Sequence, residues 1–164
     1  MKKVLLTLAF GSLFVVSCSS VKKAESAQTS RAEFLKMKGD WEITSVNYEK
    51  GYQIKPFDEG ADAQCFVGSH WRLIPNNYSG AYTIKGGGNC PTVTQPIKFE
   101  VTRDNEFKFK KLVADTKAKN VTAGYILQIE KQDTDNFTLV QSVPFEGNVI
   151  KVYYNFVRTG MEQK

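Results

Sequence analysis

From Gly39 almost to its end the chain alternates apolar and polar residues with a period of two, and this pattern constrains the fold more than any other feature. Ile97, Phe99 and Val101 alternate with Lys98, Glu100 and Thr102, and Phe107 and Phe109 alternate with Lys108 and Lys110. A strand of this kind buries one face and wets the other, which suits an antiparallel sheet and not a parallel one. Eight such strands are expected, at Trp41–Tyr48, Ser69–Ile74, Gly80–Lys85, Pro96–Arg103, Glu106–Val113, Val121–Lys131, Asn136–Val143 and Val149–Arg158. The links at 75–79, 104–105 and 132–135 are short and polar, whereas those at 49–68, 86–95, 114–120 and 144–148 are mostly longer. Alternate links of an up-and-down barrel lie at opposite ends, so the expected all-β, eight-stranded antiparallel barrel has a tight end and a loop-rich end. Eight strands leave an interior that side chains just fill, or that holds one small ligand.

The N-terminus is organised differently. Lys2 and Lys3 precede an apolar run from Val4 to Val16 broken only by small residues, which is the pattern of a signal peptide over residues 1–17. The run is too short for a stop-transfer helix. Val15-Val16-Ser17-Cys18 resembles the bacterial lipobox, with Val15 where Leu is favoured, and that resemblance implies a diacylglyceryl group on Cys18 as the new N-terminus. Several acyl chains, each buried methylene contributing about 0.8 kcal/mol, hold a protein at a bilayer almost permanently. Ser19 is compatible, by resemblance to Gram-negative sorting, with the outer membrane and its periplasmic side. Residues 18–29 have no apolar period and read as a lipidated flexible tether, and residues 30–164 form the barrel domain. Ser30-Arg31-Ala32-Glu33 has capping-box spacing and opens a short helix carrying Phe34, Leu35 and Met37 that stops at Gly39.

Three cysteines would leave a free thiol in an oxidising compartment, but lipidation of Cys18 leaves Cys65 and Cys90 as a pair. Centring the hairpin turn on Asn77 and Tyr78 sets Trp71 against Ile84 and Leu73 against Tyr82, and the same register places Cys65 opposite Cys90. A disulfide is therefore expected between them. Removing 17 residues from 164 leaves a mature chain of 147, enough for one core. Losing Lys2 and Lys3 leaves 20 of the 22 basic residues against 17 acidic ones, and a net charge of +3 is too mild to point to nucleic acid.

Chemistry-bearing motifs are sparse. His70 is the only histidine, and its parity turns it away from the core. Asp58-Glu59, Asp133 and Asp135 lie in links without His or Cys partners and read as solvated turns. Gly86-Gly87-Gly88 has no following helix or Lys-Ser/Thr and reads as a flexible loop rather than a phosphate cradle. No nucleophile with a base, no paired carboxylates and no metal-ligand cluster is visible, so neither an enzyme nor a cofactor is expected.

Together these residues resemble the lipocalin superfamily, and more closely the small lipocalin-like lipoproteins of Gram-negative bacteria. Gly39-Asp40-Trp41 matches the family's Gly-X-Trp at the first strand, with Glu42 where Tyr often follows, and the segment Cys65-Phe66-Val67-Gly68-Ser69-His70-Trp71 looks like the bacterial subgroup. The resemblance implies that Trp41 packs at the closed end under a basic residue of the last strand, a position held by Arg158. Only six residues follow Arg158, so the family's usual C-terminal helix is not expected.

Two functions remain open. In the first, a small apolar ligand, lipid or fatty-acid-like, enters the loop-rich mouth and meets inward-facing Trp71, Phe99, Phe109, Ala123, Tyr125 and Gln141, with small or polar Ser45 and Asn47 beside them. In the second, the barrel is solid and the lipoprotein is an adaptor whose partner is another envelope protein. The anchor itself is testable without choosing between them. Cys18→Ala is expected to abolish labelling by an alkyne fatty acid and to move the protein to the soluble fraction, and continued labelling of that variant would refute the anchor.

Overall fold

The computed structural model describes residues 31–113, 121 and 124–160; the predicted signal peptide, Cys18, the tether and Ala123 lie outside them. Residues 31–36 form a helix, α1, which is followed by β1 (Gly39–Asn47), β2 (His70–Ile74), β3 (Ser79–Gly87), β4 (Cys90–Val101), β5 (Glu106–Lys111), β6 (Tyr125–Gln132), β7 (Asn136–Phe145) and β8 (Asn148–Gly160). Each strand pairs antiparallel with the next, and β8 returns to β1, which closes the barrel as the alternation predicts. Closure leaves no sheet edge to manage. Inward residues form one aromatic-rich core: Trp41, Trp71, Tyr82, Phe107, Phe137, Tyr154 and Phe156 are all at most 2% exposed.

Three local features depart from the sequence expectation. Between Ile43 and Ser45 the β1–β8 register shifts by one residue, so Val46 is buried and Asn47 is exposed. A bulge inserts an extra residue and exchanges the two faces of the strand beyond it. Ser45 consequently turns to the side of Asn155, whose Nδ2 donates to its Oγ at 3.0 Å, and neither Ser45 nor Asn47 lines the interior. In the β2–β3 hairpin Trp71 faces Tyr82 and Leu73 faces Gly80, two residues off the expected register. The cause is the turn: Pro75–Asn77 is a single 3-10 turn closed by Tyr78 in the left-handed conformation, which moves the centre of symmetry back by one residue while preserving parity. Finally, two of the expected longer links are two-residue turns: β4 begins at Cys90, which leaves 88–89 with Gly88 at a positive φ, and β8 begins at Asn148, which leaves 146–147 with Gly147 at a positive φ.

Cys65 and Cys90 are bonded, with Cα atoms 5.4 Å apart. Cys65 is not in β2, however. It lies in a 3-10 turn, Ala63–Phe66, so the bridge clamps the β1–β2 link onto the start of β4 instead of crossing a ladder. Closing a loop of this size contributes about 3 kcal/mol in the chain-entropy model.

The tight end is sealed by one side chain. The Arg158 guanidinium lies 4.1 Å from the Trp41 ring centroid. It also donates to the carbonyls of Lys36 at 2.8 Å, Lys38 at 2.6 Å and Thr134 at 2.7 Å, which ties α1, the β6–β7 turn and β8 together. Trp41 is fully buried and its Nε1 donates to Met37 O at 2.9 Å. Gly39 is required by the same packing: at φ +133° it occupies backbone space closed to other residues, and a Cβ there would stand 2.6 Å from Arg158 Nη1.

Arg158→Ala removes a cation–π contact worth about 1 kcal/mol and leaves three carbonyls without their donor, so a loss of about 2–4 kcal/mol is expected. Thermal unfolding followed by circular dichroism should show Tm lowered by several degrees, with Arg158→Lys recovering only part because one ammonium cannot serve three carbonyls and a ring face. An unchanged Tm would remove Arg158 from the closure.

Candidate functional site

The opposite end carries the long link, residues 48–69, which folds down into the mouth rather than standing in solvent. Asp62 caps the 3-10 turn by accepting from Gln64 N at 2.9 Å, and Ala63 N donates to Ile54 O at 2.7 Å. Gln64 Nε2 reaches Val46 O at 3.0 Å, so β1 and the disulfide hold the second half of the link from two sides.

Its first half forms one wall of a cavity of about 290 Å³. Tyr52, Ile54 and Pro56 face Val143, Phe145 and Ile150 across it. Gln53, Lys55 and Gln141 supply the polar groups. Tyr52 and Phe145 meet edge to face at 5.3 Å, and Phe145 remains 45% exposed at the rim. An apolar concavity with few polar groups is the usual form of a small-molecule site.

Directly below Pro56, Phe57 enters the barrel and is 3% exposed. Its ring lies 5.1–5.5 Å from those of Phe66, Phe109, Tyr125 and Tyr154, edge on to the first three. The backbone there is left-handed, with φ 58°. That conformation costs about 1–2 kcal/mol in an L-residue, and burying the phenyl offsets it with about 2–3 kcal/mol.

A polar cluster holds the segment in place. Lys111 Nζ donates to Phe57 O at 3.0 Å and to Glu59 Oε1 at 2.7 Å, and the same carboxylate oxygen accepts a short hydrogen bond from the Tyr82 hydroxyl. The Glu59 side chain is 7% exposed, so it is not the solvated turn residue that the sequence suggests. Burial raises the Tyr82 phenol far above the ordinary tyrosine range, and the neighbouring Glu59 carboxylate adds to the effect, so Tyr82 stays a donor. Tyr154 is likewise held protonated, first by burial, and donates to Gln141 Oε1 at 2.9 Å.

The predicted ligand residues are therefore spread along the barrel. Phe109 and Tyr125 touch Phe57, and Trp71 stacks on Tyr82 at 4.7 Å with Phe109 beyond it at 6.0 Å. Gln141 reaches the mouth cavity. Phe99 instead packs against Phe34 of α1 at 5.5 Å and belongs to the closed end, because β4 runs from the mouth down to that end. Phe57, Glu59 and Lys111 escape sequence reasoning. Lys111 shares the inward parity of Phe107 and Phe109, a signal visible in the sequence, whereas nothing local marks Phe57 as a core residue.

A second depression, of about 440 Å³, lies on the outer wall across β4–β6, where Lys98, Lys108, Lys110 and Glu100 surround Tyr78 and Ile126. It is more open to solvent than the mouth, and Phe99, Phe109 and Tyr125 line it as well. Outward His70 lies 3.6 Å from Asp40, and among the described residues no group of three His, Cys, Asp or Glu side chains could hold a metal ion.

No protein-family model and no curated protein matches the chain. Solved structures similar to it include an odorant-binding protein from bovine nasal mucosa, at 10% identity over 78% of this chain and 74% of that one, with a TM-score of 0.45. Bovine odorant-binding protein in complex with a selenium-containing odorant is similar at 12% identity over 79% and 74%, with a TM-score of 0.44.

Proposed function

We propose that the chain is a non-catalytic binding module for a small apolar ligand, lipid or fatty-acid-like, tethered through Cys18 to the periplasmic side of the outer membrane. The observation that carries this reading is the apolar cavity at the barrel mouth, walled by Tyr52, Ile54, Val143, Phe145 and Ile150. Its volume of about 290 Å³ suits one small molecule or one segment of an acyl chain. Each methylene passing from water to that wall contributes about 0.8 kcal/mol, and Gln141 and Lys55 at the edge can orient a polar head.

A second reading, an adaptor that binds another envelope protein, is favoured by the packed interior: Trp71, Phe99 and Phe109 are at most 3% exposed, and the Phe57 ring fills the space between strands. A fluorescent fatty-acid analogue separates the two. The binding module gives a saturable rise in emission that Val143→Phe weakens about tenfold or more, while Tm changes little because the added ring fills unpacked space. Absence of saturable binding by the unsubstituted protein would favour the adaptor.

A further inference from the structure

We infer that the cage formed by Phe66, Phe109, Tyr125 and Tyr154, together with Lys111 and Tyr82, is a binding site for an aromatic carboxylic acid, and that the chain's own Phe57 and Glu59 occupy it as an internal competitor. This rests on the mouth being the route of entry. Phe57 and Glu59 present a phenyl ring and a carboxylate from one short segment. The ring sits in an aromatic cage, edge on to three of its four neighbours, the geometry that the quadrupole of a planar ring prefers. The carboxylate accepts hydrogen bonds from the Lys111 ammonium and the Tyr82 hydroxyl. A free arylalkanoic acid offers the same two groups, and when the segment leaves, both the cage and the two donors become vacant together.

The link is built to release that segment. Cys65, bonded to Cys90, fixes its far half. Gly51 at φ +100° and Gly60 at φ +69° flank Pro56–Glu59, and at neither would a Cβ meet any atom within 4 Å. Rotation at these two positions swings the segment toward solvent without disturbing the strands. The left-handed Phe57 backbone is relieved by the same movement. The Lys111 and Tyr82 hydrogen bonds, the buried Phe57 ring, the Ala63 N–Ile54 O hydrogen bond and the Tyr52–Phe145 contact oppose it, and a ligand that replaces the first three shifts the equilibrium toward the open state.

Calorimetric titration of the full chain carrying Cys18→Ala with phenylpropionate, phenylpropanol and cyclohexylpropionate tests this. Phenylpropionate should bind more tightly than the other two, and Glu59→Gln and Phe57→Ala should each raise its affinity about tenfold by enlarging the competent fraction. Lys111→Met should erase the preference for the acid over the alcohol. In the unsubstituted link, phenylpropionate should speed chymotryptic cleavage after Phe57, which is buried while the segment is in place, a readout that does not depend on either variant folding. Equal binding of acid and alcohol, or unchanged affinity in both variants with no change in cleavage, would overturn the proposal. Fatty-acid probe binding without any phenylpropionate effect removes the cage alone, whereas the reverse result removes the apolar-ligand reading of the mouth alone.

Discussion

Closure of the sheet between β1 and β8 is the constraint on which everything else in this molecule depends, and the Arg158 guanidinium over Trp41 holds it. An open eight-stranded sheet would expose two unpaired edges and the inner faces of every strand. Arg158 is 10% exposed and donates to three main-chain carbonyls from α1 and the β6–β7 turn, so one cation satisfies polar groups that closure would otherwise strand. Its charge is not isolated in the core, because Asp135 lies 3.6 Å from Nε on the solvent side. With that end fixed, Phe34 and Met37 of the helical segment cover the base of the barrel.

The two ends are held by different physics. At the base the contacts are short, numerous and mutually supporting, and Gly39 leaves no slack around the guanidinium. At the mouth the half-buried Lys111 holds a carboxylate and a carbonyl of the link, and the Tyr82 hydroxyl donates to the same carboxylate. An ion pair drawn partly out of water gains little net free energy, because desolvation cancels much of the Coulombic attraction, although removing one partner alone is costly. Such a contact fixes a geometry more than it stabilises the fold, which is why the mouth can rearrange while the base does not.

Much of the architecture was legible in the residues because side-chain parity survives most local errors. The hairpin register is displaced by two residues, yet Trp71, Leu73 and Tyr82 remain on the inner face, since a shift of two preserves the period. A shift of one does not. The bulge after Ile43 turns Ser45 and Asn47 outward, and no residue type in Ile43-Thr44-Ser45 announces it. The pairing of Cys65 with Cys90 follows from there being two cysteines once Cys18 is set aside, even though the ladder imagined between them is absent.

The sequence by itself determined the fold class, the number of strands and the inward set along most strands, because each depends on local period, whereas the Trp41–Arg158 seal was legible only through the family resemblance. Only the tertiary structure decided what fills the barrel. Phe57, Glu59 and Lys111 come from a link and a strand end more than 50 residues apart in sequence, and their contact exists only after the sheet has closed and the link has folded into it. Burial of a link residue is set by what the closed barrel leaves empty, a property of the whole surface that no window of sequence contains.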